Sequence, residues 1–240
     1  MLQHSKISTA TSQQHFSPRG ASSPAYRGFF WPLIFVLAAV AALAVDVPLA
    51  RALREANESP AIHPYLEYFD TFETFGHGLG VALLLVVLHQ LDPARRWAIP
   101  RLLTCALLAG GLADLLKMLV LRTRPYECPL TGTVWSTFGT CFSAWGAGSP
   151  GQSFPSAHTA TAVGFAAALV WLYPQGRLLF PLLAVLVGCQ RIVCGAHYPS
   201  DVLVGAAAGC LVAQCFLRVG PLPAWLDRWE RYWRLKYRMQ

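Results

Sequence analysis

The sequence predicts an all-α integral membrane protein: a six-helix transmembrane bundle with an interfacial helix and a long extracytoplasmic loop. Three observations lead there. Of 240 residues, 55% are hydrophobic and only 13% charged, too apolar for an ordinary soluble domain of this length. Six apolar runs are separated by polar segments, and Lys and Arg crowd the ends of those runs on one side.

Residues 1–27 are rich in Ser, Gln, Thr and His with no apolar period, the composition of a flexible tail. The first apolar run, Phe29 to about Leu49, is long enough to cross a ~30 Å hydrocarbon core. Its length and the long polar leader favour a retained span over a cleaved signal peptide. From Arg51 to Glu73 aromatic residues mix with carboxylates, which predicts a helix lying at the interface. Further spans are expected at Phe75–Leu91, Ile99–Leu121, His158–Tyr173, Leu178–Cys194 and Val202–Leu217.

Between the third and fourth runs lies a loop, Arg122 to Ser156, rich in Gly, Pro, Ser and Thr. Connections of that length are usually functional or disordered. Residues 28–220 thus form the membrane domain. Residues 221–240, with Trp225, Trp229 and Trp233 four apart among basic residues, predict an amphipathic surface helix.

Six spans leave both termini on one side. Arg27, Arg95, Arg96, Arg101, Arg177, Arg218 and the basic C-terminal residues all fall there, while Arg51 and Arg54 lie opposite. The positive-inside rule therefore predicts cytoplasmic termini in the inner membrane and an extracytoplasmic loop.

The net charge of +7 does not indicate nucleic acid, because the basic residues form no stripe and no aromatic-interleaved groove. Most of the seven cysteines lie inside apolar runs and behave as small hydrophobes. Cys128 and Cys141 share the long loop, where a disulfide is one option in an oxidising compartment. No Cys/His ligand spacing is present, so neither a metal nor another cofactor is expected.

Three stretches place ionisable groups at the ends of spans, where a purely structural protein avoids the desolvation cost. In Lys117-Met-Leu-Val-Leu-Arg-Thr-Arg124-Pro125, Lys117 and Arg124 share a helical face if helix continues between them. Two snorkelling cations would explain that stretch alone. In Phe154-Pro155-Ser156-Ala157-His158, Ser156 is placed as the N-cap of an apolar helix, whose free N–H groups can receive an anion. In Arg191-Ile-Val-Cys-Gly-Ala-His197-Tyr-Pro-Ser-Asp201, Pro199 puts His197 on a turn and Asp201 in the first turn of the last span, within reach of the ring. A carboxylate on one ring nitrogen fixes the tautomer and leaves the other free to attack. Taken together, cations, an anion-binding helix start, two histidines and an orienting carboxylate are what phosphoryl chemistry demands.

These stretches resemble, in order, the K-x6-R-P, P-S-G-H and S-R-x5-H-x3-D signature of the type 2 phosphatidic acid phosphatase superfamily. The resemblance covers about Lys117 to Asp201, and the six-span layout is similar to that of the family's membrane members. It implies a metal-independent lipid phosphate phosphatase in which His197 forms a phosphohistidine and Asp201 orients it. His158 then protonates the leaving alkoxide and later activates water. Lys117, Arg124, Ser156, Ala157 and Arg191 would hold the phosphate oxygens. Two positions depart from the pattern. Ala157 replaces a Gly, unfavourable if that residue needs positive φ, and Gln190 replaces a Ser, whose hydroxyl an amide does not reproduce.

The expected partners are a lipid phosphate and the bilayer. Phosphatidic acid, phosphatidylglycerophosphate and lipid A phosphate stand as substrates beside undecaprenyl diphosphate, with transfer to an acceptor other than water as an alternative. An anion transporter is the reading of a different class. It fits less well, because the polar groups sit at span ends and not at mid-depth. Arg122 and Asp114 have no role assigned by these patterns beyond an Asp114–Lys117 pair one turn apart.

Overall fold

A computed structural model describes residues 30–139, 152–218 and 220–238, with only the backbone of 236–238. The expected N-terminal tail, Cys141 and the loop aromatics Phe142 and Trp145 lie outside the described residues. Among those described, the chain is helical, with isolated β-bridges pairing Arg122 with Phe138 and with Gln152.

The first helix, α1 (Phe30–Glu58), has 29 residues and runs beyond the expected end. At 1.5 Å per residue it reaches about 43 Å. Arg51 and Arg54 therefore belong to α1 and not to an interfacial stretch. They reach across to the long loop, Arg51 donating to the Leu130 carbonyl at 2.6 Å and Arg54 to the carbonyls of Pro125 and Cys128. The interfacial segment proper is broken into α2 (His63–Glu67), a 3-10 turn (Tyr68–Phe72) and α3 (Glu73–Gly76). It bends by 62° into α4 (Gly78–Leu91) at the extended residue His77.

Next come α5 (Ile99–Lys117), α6 (Ala157–Leu172), α7 (Leu179–Val193), α8 (Pro199–Leu217) and α9 (Pro221–Arg238). Among the described residues, three segments are long and apolar enough to cross a bilayer unaided: α1, 93–117 and α8. The bent pair His63–Gly76 and Gly78–Leu91 makes a fourth if read as one span. Helices α6 and α7 are shorter, at 16 and 15 residues.

Helix α6 is the centre of the bundle, packed against α5, α7 and α8, while α1 packs on α8. Small residues make this possible: Ala109, Ala113, Ala160 and Ala208 are buried in one shared cluster. Gly205 and Gly209 form a small-xxx-small pair on α8. A Cβ at Gly205 would run into the Ser156 carbonyl, and one at Gly209 would come within 2.5 Å of the Ala160 carbonyl.

The helix ends sort onto two faces. One gathers the C-terminal ends of α1, α5 and α7 with the N-terminal ends of α4, α6 and α8, and it carries the loop. On the opposite face Tyr173, capping α6, donates to Asp92 at the end of α4 (2.9 Å). There the buried Arg101 of α5 pairs with Asp227 and Glu230 of α9, each at 2.6 Å. Helix α9 is amphipathic as expected. Leu226 and Glu230 face inward, and Trp225, Tyr232 and Leu235 stand exposed.

Candidate active site

All three chemistry-bearing stretches meet on the loop-bearing face. Helix α5 ends at Lys117, so Lys117 and Arg124 do not share a helical face as the spacing allowed. An irregular segment carries the chain onward and delivers both cations to the same place. Lys117 pairs with Asp114 at 3.4 Å, the expected one-turn contact.

Ser156 caps α6, its Oγ accepting from Thr159 N at 3.4 Å, so the helix start offers N–H groups beside His158. Ala157 lies in the first helical turn and is not among the positive-φ residues, so the missing glycine imposes no strain there.

Helix α7 ends through Gly195, whose φ of +70° suits a residue without Cβ. The turn is closed by His197 N donating to the Arg191 carbonyl at 3.0 Å. That bond ties the imidazole-bearing residue to the last cation of α7. Gln190 donates to Asp70 at 2.8 Å and accepts from Arg191 Nε at 2.6 Å. The amide thus braces the guanidinium, a job a serine hydroxyl is too short to do in this way.

The His197 ring is buried. Its Nδ1 lies 2.5 Å from the Ser153 carbonyl and 3.9 Å from Asp201 Oδ2. A carbonyl oxygen only accepts, so Nδ1 carries the hydrogen and Nε2 keeps a free lone pair. Asp201 stands one step back. It accepts from Ser153 Oγ (2.7 Å) and from Tyr198 N (2.9 Å), fixing the residue that holds the ring and the start of α8. Burial, then the charges of Lys117 and Arg124, push the His197 pKa well below 6.5, with Arg191 acting the same way. The ring is consequently neutral and nucleophilic at neutral pH.

The charges that bear on the second imidazole, His158, come from Arg191, Glu73, His77 and Lys117. Lys117 and Arg191 bear on both rings, and Arg191 links them: its guanidinium shares Glu73 with His158, and its carbonyl accepts from His197 N. Arg124 carries a buried Nε that has no hydrogen-bond partner, a donor an anion's oxygen would satisfy. Among the described residues, no group of three or more His, Cys, Asp or Glu is arranged to hold a metal.

Three residues that the motifs do not contain support the site. Glu73 of α3 lies 3.1 Å from His158 Nε2 and grips Arg191 with both oxygens, at 3.0 and 2.6 Å. Arg122, wholly buried, binds Asp46 of α1 at 2.7 Å, Ser200 Oγ at 2.8 Å, Thr137 Oγ1 at 3.1 Å, and Asp201. Its guanidinium stacks on Tyr198 and Phe138, 4.0 and 4.4 Å from the ring centres. Asp46 also accepts from Ser200 N at 3.0 Å.

A neutral buried imidazole, a second imidazole, three cations and a helix start are the groups that transfer of a phosphoryl group calls for. Comparison with known proteins agrees with that chemistry. The model of the PAP2 superfamily matches residues 98–222. A lipid A 1-phosphatase from Rhizobium etli is 36% identical over 130 residues, 52% of this chain and 53% of that protein. A decaprenylphosphoryl-5-phosphoribose phosphatase from Mycobacterium tuberculosis is 36% identical over 116 residues, 48% of this chain and 57% of that one. The chain spans about half the length of these curated relatives. The crystal structure of Aquifex aeolicus LpxE superposes with a TM-score of 0.51 at 25% identity, covering 71% of this chain and 93% of that one. A Bacillus subtilis transmembrane PAP2-type phosphatidylglycerolphosphate phosphatase shares the fold, with a TM-score of 0.50 at 20% identity over 86% of this chain and 96% of that one.

Proposed function

As the chain belongs to the PAP2 superfamily, we propose that it is a membrane phosphatase that removes phosphate from a lipid through a phosphohistidine on His197. The observation that carries this reading is Arg191 between the two imidazoles at one face of an apolar bundle, its guanidinium sharing Glu73 with His158 and its carbonyl accepting from His197 N. His197 Nε2 attacks phosphorus, and the P–N bond forms as the bond to the leaving oxygen breaks. Lys117, Arg124, Arg191 and the α6 start at Ser156 and Ala157 neutralise the equatorial oxygens. His158 gives its proton to the leaving alkoxide, then takes one from water as that water cleaves the P–N bond. Asp201 secures the ring through Ser153 and the start of α8. No step calls for a metal.

The lipid tails remain in the bilayer. An apolar groove between α4, α6 and α7, lined by Phe75, Leu84, Leu88, Phe180 and Leu183, reaches Asp92 and Tyr173 at the face opposite the site and offers a surface suited to hydrocarbon. With six crossings and both termini cytoplasmic, the site opens on the extracytoplasmic side of the inner membrane. The names of the curated relatives favour lipid A phosphate as substrate, with phosphorylated isoprenoid lipids second and phosphatidic acid and phosphatidylglycerophosphate behind.

Phosphate release from purified lipid A, undecaprenyl diphosphate, phosphatidic acid and phosphatidylglycerophosphate in mixed micelles tests this. Lipid A is expected to give the highest kcat/KM, and no release from any of the four would end the proposal. The pH profile offers a second test. Because burial and the cations lower the His197 pKa, the free base persists as pH falls through 6.5, and the acid limb of kcat/KM set by this residue is expected below 6.5. Stability runs the other way: the unfolded histidine takes up a proton near 6.5 while the folded one does not, so the fold weakens as pH drops below that value.

A further inference from the structure

Among the described residues, Glu73 is the one acidic side chain that touches both the second imidazole and a phosphate-binding cation, and no motif in the sequence accounts for it. It comes from the short helix α3, which is pressed against α6: a Cβ on Gly76 would lie 2.6 Å from the His158 carbonyl. The broken segment thus delivers a carboxylate, about one-third exposed, to within 3.1 Å of His158 Nε2. A carboxylate beside an imidazole favours the charged ring. It also fixes which nitrogen reacts, since a proton shared with Glu73 stays on Nε2 and leaves Nδ1 to serve the substrate.

We propose that Glu73 is the positioning residue of the general acid: it fixes the His158 ring through Nε2 and favours the imidazolium whose Nδ1 proton goes to the leaving oxygen. This rests on the reading of the site as a phosphohistidine phosphatase. In the step, the P–Nε2 bond to His197 forms, the P–O bond breaks, and the departing alkoxide takes the His158 proton. His158 ends neutral, with its Nε2–H still on Glu73. Opposing the protonated ring are its own burial, then Arg191 from α7, His77 from the α3–α4 turn, stacked 5.8 Å away, and Lys117 from α5. Glu73 is the group that works against them.

The test uses leaving groups of different basicity. An alkoxide or a sugar hydroxyl needs the proton, whereas p-nitrophenolate leaves without it. In Glu73→Gln, kcat on the lipid phosphate is expected to fall on the order of 10–100-fold, the usual reach of one acid–base group. With p-nitrophenyl phosphate kcat/KM, which reports only the steps up to the phosphohistidine, should fall about 10-fold less than it does on the lipid, because that leaving group needs no proton from His158. The alkaline limb of the lipid kcat profile should move to lower pH, and Glu73→Asp should recover part of the rate even if Glu73→Gln melts early. In a His158→Ala background, Glu73→Gln should add no further loss. Equal losses on both substrates would assign Glu73 to phosphate binding through Arg191, and a gain in kcat/KM on both would make it a competitor for the phosphate seat. Either result, or an unchanged rate, overturns the proposal. A His197→Ala variant assayed alongside separates the cases: if it still turns over, the phosphatase reading fails, and if it is dead while Glu73→Gln is normal, only the role of Glu73 fails.

Discussion

Replacing His197 by alanine is expected to lower phosphate release from the lipid by about 10⁴-fold or more, the scale seen when a covalent nucleophile is lost. The ring is buried, Nδ1 faces the Ser153 carbonyl, and Nε2 is the unprotonated nitrogen. No other described side chain offers a neutral nucleophile with Lys117, Arg124 and Arg191 around it. Those cations survive the substitution, so the phosphate still binds, and KM should change far less than kcat. What is left is attack by water on a phosphate whose charge is still neutralised, which explains why the loss need not reach the uncatalysed rate. His197→Gln, which fills more of the space, separates chemistry from packing. Both variants should elute as wild type and melt within a few degrees of it, and neither should retain an acid-labile phosphoenzyme after rapid quenching. Phosphate release at the wild-type rate in either variant would remove His197 from the mechanism.

Much of this architecture can be read from short-range pattern. The apolar runs locate α4 to α8 to within a few residues, Ser156 is the N-cap its position indicated, and Asp201 sits in the first turn of α8 behind Pro199. These are local effects, in which a cap or a proline acts on its own neighbours. Long-range contacts were out of reach. Glu73 and Arg191 are 118 residues apart and Asp46 and Arg122 are 76 apart, and no periodicity links positions at such separations. Arg122 lies two residues before Arg124, and in sequence both resemble cations snorkelling at a span end. Only the fold turns one into the site and the other into the core. A signal for Asp46 was nonetheless present. A single carboxylate inside the first apolar run is costly unless paired, so a buried basic partner was to be expected, and Arg122 supplies it. The span end of α1 misled for a related reason. The helix continues through polar residues because Arg51, Arg54 and Asn57 find carbonyls of Leu130, Pro125, Cys128 and Val193 to bond, and hydropathy does not register such partners.

Arg122→Met is expected to be the most destabilising single change in the protein. The guanidinium joins α1, through Asp46, to the start of α8, through Ser200 and Asp201, and both carboxylates are wholly buried. Removing it leaves two acids near one another with no cation between them, and stranding a buried charge in this way costs on the order of 3–5 kcal/mol. For a chain of this size that is a fall in Tm of roughly 10 °C in detergent. Asp46→Asn is the informative contrast. It takes one acid from a group of two acids and one cation, leaves Arg122 paired with Asp201, and keeps an amide oxygen for Ser200 N, so its cost should be about 1 kcal/mol. The electrostatic account therefore predicts an order, Arg122→Met far worse than Asp46→Asn, whereas a cluster that merely filled space would penalise both alike. Activity should follow the same order, because Asp201 holds Ser153 and Ser153 holds the His197 ring. Melting curves for the two variants decide the matter, and equal Tm values would show that Arg122 does not act through its charge.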